Sequence, residues 1–204
     1  MQDTTGVGRQ VDISLTDVSD SVHVVIDVQQ AFIDKLAPEV QGPVVNRIAW
    51  VVKMAAKLGV PIVVTAEDIN NLGRTVPAVA DGFPDDTVQH DKMTFGIAGN
   101  PTILSAVEEP QRRTAVLVGL ETDVCVVQSA LGLLGRGFRV VVLSDATASP
   151  GPCHDAGITR MRDAGAVIST VKGTFYEWVR SLDFADDHLE PETWTEPRPD
   201  GVYL

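Results

Sequence analysis

The sequence predicts an α/β protein, a three-layer doubly wound sheet of about six parallel strands with helices on both faces. Three observations carry this. β-Branched runs alternate with segments whose apolar residues recur at helical spacing through the 204 residues. The runs Val22–Val28, Ala115–Val118 and Val140–Leu143 are nearly all apolar, as strands covered on both faces require. The stretch Thr114–Ser149 holds one complete unit: strand, tight turn at Gly119, amphipathic segment, strand.

In chain order, residues 1–20 are polar and unpatterned and read as an extended arm. Val22–Val28 is the first strand and runs into Asp27 and Gln29. Val44–Leu58 has helical spacing and is stopped by Gly59, and Pro61–Thr65 is the second strand. The stretch after it, TAEDINNLGRTVPAVADGFPDD, is rich in Gly, Pro, Asn and Asp and reads as a long functional loop. Thr87–Asp91 is a short third strand. Pro101–Val107 is a helix with Asn100 as N-cap.

The fourth strand, Ala115–Val118, feeds a helix over Asp123–Arg136 whose apolar positions are Val124, Val127, Leu131 and Leu134. Thr122 and Asp123 read as its caps. Val140–Leu143, a helix from His154 to Ala164, Ala166–Ser169 and a short helix over Phe175–Leu182 complete the pattern. One domain over 1–204 results, with an acidic, Pro-containing tail over 183–204. That tail is either disordered or docked, Trp194, Val202 and Tyr203 favouring docking on a neighbouring subunit.

Composition excludes several classes. A formal charge of −12 argues against nucleic acid and anionic membranes, which call for basic surface. No apolar run has the length of a membrane span, and the N-terminus shows no basic stretch followed by an apolar one. With two cysteines and no disulfide framework, a cytoplasmic setting is expected. Val22–Asp34 carries no G-x-G-x-x-G, against a dinucleotide site. No cofactor is expected.

Three chemically able groups lie at the carboxyl ends of successive strands, where open parallel sheets bind ligands. These are Asp27, Lys92 and Cys125. A thiol at a helix start is open to activation, a carboxylate can carry its proton, and an ammonium can stabilise the thiolate. Backbone N–H groups of the turn before Cys125 are candidate oxyanion donors. Cys153, beside His154 and Asp155, reads as a helix-start residue.

The strings IDVQQAF, DKMTF and GLETDVCV resemble the isochorismatase-like cysteine hydrolases, which include nicotinamidases, N-carbamoylsarcosine amidohydrolases and ureidoacrylate amidohydrolases. The resemblance runs from about Val22 to Trp178. It implies Asp27, Lys92 and Cys125 as a catalytic triad, a non-proline cis bond at Leu120–Glu121, and an oxyanion hole from the N–H groups of Glu121 and Cys125. Gln29 and Phe32 match the motif around the first acid and would shape the pocket, with Glu67, Phe95 and Thr122 as further candidates.

One departure matters. Nicotinamidases hold a metal through Asp-x-His after the second strand, where this chain has Thr65-Ala66-Glu67-Asp68-Ile69-Asn70 and no histidine before His90. No metal is therefore expected. The expected reaction is hydrolysis of a C–N bond in a small amide or ureido compound through an acyl-enzyme, in a homo-oligomer (dimer or tetramer). The alternatives are vinyl-ether hydrolysis of the isochorismate type, or a binding protein on the same scaffold without turnover. Glu121 would either hold the turn or meet the substrate.

Overall fold

A computed structural model describes residues 15–203, so most of the arm expected over 1–20 lies outside the described residues. Six strands form one parallel sheet: β1 (Ser21–Ile26), β2 (Ile62–Glu67), β3 (Gln89–Lys92), β4 (Thr114–Leu120), β5 (Arg139–Ala148) and β6 (Val167–Ser169). Their order is β3-β2-β1-β4-β5-β6. The two fully buried strands are the central pair, β1 and β4, with Val24 opposite Leu117 and Ile26 opposite Gly119.

The helices in chain order are α1 (Gln30–Ile33), α2 (Pro38–Lys57), α3 (Ile69–Leu72), α4 (Pro77–Ala80), α5 (Pro101–Glu108), α6 (Val127–Gly135), α7 (Cys153–Asp163), α8 (Val171–Val179) and α9 (Leu182–His188). Alternation along the strands divides the core into two layers. Val25, Val116, Val118 and Val141 face α2 and α8, meeting Ile48, Val51 and Phe175. Val24, Leu117, Val140 and Val142 face the other side, meeting Ile103, Val127, Leu133 and Met161 of α5, α6 and α7.

Several elements differ from the sequence reading. α2 begins at Pro38 and continues through Pro43. An interior proline costs about 3 kcal/mol. The fully buried Ile48, Val51 and Val52 each contribute about 1.5–3 kcal/mol, so the apolar stripe outweighs the break. β5 runs to Ala148 rather than ending at Leu143. The loop after β2 contains α3 and α4. α8 starts at Val171, where the Thr170 hydroxyl accepts from the Gly173 N–H at 3.1 Å.

The tail is ordered on its own chain. Glu196 meets Lys53 at 2.7 Å and Lys57 at 3.0 Å, both on α2. Arg47 donates to the Asp200 carbonyl at 2.9 Å. Val202 is buried, and the Trp194 ring lies 6.1 Å from that of Phe175. Of the residues read as a contact for another subunit, Val202 and Trp194 pack on this chain's own core, whereas Tyr203 is exposed.

Candidate active site

The site sits beyond the carboxyl ends of β1, β4 and β3. Asp27 follows β1 and is fully buried, with a left-handed backbone at φ 50°. Aspartate tolerates that region better than most residues. Its N–H donates to the Thr65 carbonyl at 3.1 Å, continuing the β1–β2 ladder, and its carbonyl accepts from the Gln29 N–H at 2.8 Å. The Thr65 hydroxyl donates to Asp27 Oδ1 at 2.8 Å.

Lys92 is the last residue of β3, two strands from β1, a spacing of about 10 Å that only a long side chain bridges. It crosses β2 with its side chain wholly shielded and places Nζ 2.6 Å from Asp27 Oδ2. The same Nζ lies 3.6 Å from Cys125 Sγ.

Cys125 lies in a turn of π-helix, Thr122–Val126, that leads into α6. The Val126 N–H reaches back five residues to the Glu121 carbonyl at 3.1 Å. Such wide turns collect at functional sites. The single helix expected over Asp123–Arg136 is therefore split, because this turn wraps the thiol over the strand ends. Before it, Leu120–Glu121 is a cis peptide bond. Gly119 has φ 128°, and a Cβ there would meet the Ile26 carbonyl oxygen at 1.9 Å, so only glycine fits between β4 and the chain leading to Asp27.

Neither Thr122 nor Asp123 caps a helix as expected. The Thr122 hydroxyl pairs with His154 Nδ1 of α7 at 2.9 Å. Asp123 Oδ1 accepts from the Ser149 hydroxyl at 2.6 Å. Gly157 of α7 presses against the same turn, a Cβ there falling 3.0 Å from Asp123 Cα. α7 and the end of β5 thus brace the Cys125 turn from outside.

Of the pocket candidates, Glu67 joins the cluster, its Oε2 lying 3.6 Å from Lys92 Nζ and 3.4 Å from Cys125 Sγ. Gln29 supports it. Its side chain donates to the Glu67 and Gly73 carbonyls, both at 2.7 Å, and accepts from the Glu67 N–H at 2.8 Å. Glu121 pairs with Lys35 at 3.4 Å. Phe32 is a core residue under the Lys35 ammonium, which stands 4.6 Å from its ring centre. Phe95 is 53% exposed and lines a groove with Gln128 and Leu131 of α6, a groove that Asp27, Lys92 and Cys125 do not line. A single aromatic in a polar loop gives no signal for which way it turns.

Burial controls the charges. Burial raises the Asp27 carboxyl above the usual aspartate range, although Lys92 and the Thr65 hydroxyl oppose it. Burial works against the Lys92 ammonium as well, yet Asp27, Cys125 and Glu67 together hold it above the ordinary lysine value. The Cys125 thiol is pushed up by burial and by the Asp27 carboxylate, with Lys92 opposing. The resting group is thus an ion pair beside a neutral thiol. The lowered thiol pKa that a helix start suggests is reversed, because two acids and little water surround the sulfur.

Ligand atoms of Asp27, Glu67 and Cys125 lie within 4.8 Å of one another, a spacing that could hold a cation. The Lys92 ammonium is within 3.6 Å of all three and occupies that role. His90 lies within β3 and lines a groove with Val60 and Pro61, away from the cluster. Cys153 is exposed at the start of α7.

With this geometry in hand, comparison with known proteins gives the family. The isochorismatase domain matches residues 21–173. The chain is 34% identical over 182 residues, 84% of this chain and 80% of the other, to the secreted isochorismatase effector Isc1 of Phytophthora sojae. It is 32% identical to isochorismatase domain-containing protein 2 of Bos taurus, over 79% of this chain and 78% of that one. Among solved structures, the YcaC gene product of Escherichia coli, an octameric hydrolase of unknown specificity, superposes with a TM-score of 0.76. There the identity is 22%, over 88% of this chain and 92% of that one. The protein belongs to the isochorismatase family, a hydrolase family. No helix among the described residues is long and apolar enough to cross a membrane. The cytoplasmic expectation does not follow from the family, since one relative is secreted.

Proposed function

We propose that the protein is a cysteine hydrolase of small amides or ureido compounds, with Cys125 as nucleophile, Asp27 as proton carrier and Lys92 as electrostatic support. The observation that carries this reading is the buried Asp27–Lys92 pair set directly against the only buried cysteine among the described residues.

In the first half-reaction, the Cys125 sulfur bonds to the substrate carbonyl carbon while its proton passes to Asp27. Charge develops on the carbonyl oxygen, which the N–H groups of Glu121 and Cys125 would receive. The C–N bond then breaks and Asp27 gives its proton to the departing nitrogen. In the second half, water attacks the thioester carbon and Asp27 takes one of its protons. Collapse of the intermediate releases the acid and returns a proton to the sulfur. Lys92 keeps its charge throughout, stabilising whichever of Asp27 and Cys125 is anionic.

Turnover of a panel of small amides and ureides, compared between wild type and Cys125→Ala, tests this. Loss of turnover with an unchanged fold supports the reading, and retained turnover removes it. The octameric YcaC supports a homo-oligomer for this chain too. Light scattering of the purified protein tests that.

A further inference from the structure

The mechanism above uses Asp27, Lys92 and Cys125 and leaves Glu67 without a task. Its placement is nevertheless tightly made. It is the last residue of β2, in register with Lys92. Its N–H and carbonyl are both bound by the fully buried Gln29 side chain. Its own side chain retains 20% exposure, whereas those of Asp27 and Lys92 have none. Within the cluster, then, Glu67 is the acid that still faces incoming molecules.

The charge count is informative. Asp27 and Lys92 neutralise each other at 2.6 Å, leaving the Glu67 carboxylate as the excess charge beside a neutral thiol. Lys35, which reaches the Cys125 turn, is paired with Glu121. A carboxylate is an acceptor only. With Oε2 3.4 Å from the sulfur, it is placed to meet the groups attached to a carbon under attack by that sulfur.

Resting on the thiol-hydrolase reading, we propose that Glu67 determines specificity. Its carboxylate accepts hydrogen bonds from N–H groups on the departing nitrogen. The site therefore takes neutral or cationic amides and ureides carrying NH₂ groups, and rejects compounds with a carboxylate next to the scissile bond. Rejection follows because a second anion would meet the Glu67 carboxylate in a partly desolvated site, where Lys92 and Lys35 are already paired with Asp27 and Glu121.

The test is a competition between iodoacetamide, which is neutral and carries an NH₂ group, and iodoacetate, its anionic counterpart. Alkylation of the full-length protein is followed by mass spectrometry at about pH 9, where thiols are reactive. Exposed Cys153 in the same molecule serves as the reference. The expected result is an iodoacetamide-to-iodoacetate rate ratio at Cys125 about tenfold or more above that at Cys153. Glu67→Gln should bring the two ratios together, and Glu67→Asp, which keeps the charge, should keep them apart. Equal ratios at the two cysteines of the wild-type protein would overturn the assignment, as would a ratio unmoved by Glu67→Gln. Failure of both reagents at Cys125 even as the pH is raised further, where its thiol ionises, would overturn this assignment and the hydrolase reading together. The charge preference without turnover of any amide would leave Glu67 in place and remove only the reaction. Faster hydrolysis of carboxylate-bearing amides than of neutral ones would do the reverse.

Discussion

Lys92 Nζ stands 2.6 Å from Asp27 Oδ2 with both side chains wholly excluded from solvent, two strands apart in the sheet. The pair is both a structural commitment and a chemical device. A buried pair offsets its desolvation only while both partners are present, and removing one strands the other.

Lys92→Met and Asp27→Asn are each expected to destabilise the fold by about 3–5 kcal/mol in urea denaturation. The double variant should be clearly more stable than the sum of the two losses predicts, since it leaves no stranded charge. Strict additivity would mean that the two groups do not sense each other.

In the proposed reaction Asp27 accepts the thiol proton only as a carboxylate, so kcat/KM should fall as the pH drops through its raised value. The acid limb should lie above the ordinary aspartate value of about 3.9. Thr65→Val removes a hydrogen bond that favours the carboxylate and should move the limb upward. A limb in the ordinary range, unmoved by this variant, would show that another group carries the proton.

The raised thiol makes a separate forecast. Alkylation at Cys125 should keep accelerating above about pH 8.5, where an ordinary thiol begins to level off. A plateau near neutral pH would mean that Lys92 outweighs burial and the two acids.

Gly119→Ala should cost about 4 kcal/mol or more, because its Cβ would overlap the Ile26 carbonyl oxygen and the backbone is left-handed there. Thermal denaturation reads the loss directly. A stability close to wild type would mean that β4 can move away from β1 at the site.

The Thr122–His154 contact is expected to position the nucleophile turn without touching substrate. Thr122→Val should cost about 1 kcal/mol of stability and lower kcat more than it raises KM. Thr122→Ser, which keeps the hydroxyl, should restore kcat. A loss in Thr122→Ser with none in Thr122→Val would locate the role in the methyl group instead.

Much of this site was legible in the sequence. Asp27 and Cys125 follow β-branched runs, Lys92 ends the short polar strand Gln89–Lys92, and a parallel sheet brings such ends to one edge. The Leu120–Glu121 cis bond, implied by the family resemblance that the GLETDVCV string carries, is found in the structure. The braces were not legible. Thr122 meets His154 across 32 residues, and Asp123 meets Ser149 across 26. Neither partner has a local periodicity to announce it. The π-turn escaped because its apolar spacing imitates an α-helix for one turn. Gln29 is expected to shape the pocket, and the way its side chain does so, by holding the backbone of Glu67 and Gly73, is not written in its local sequence. The fate of the tail depended on Lys53 and Lys57, which a helical pattern marks only as solvent-facing.

The central claim is a covalent bond from Cys125 to the substrate acyl group. The most direct measurement is an acid quench of the enzyme during turnover of an amide or ureide, followed by mass spectrometry of the peptide carrying Cys125. The account predicts an acyl adduct on Cys125 that forms at the rate of nitrogen release and is absent in Asp27→Asn. Turnover with Cys125 unmodified at every time point, together with full activity in Cys125→Ala, would contradict it.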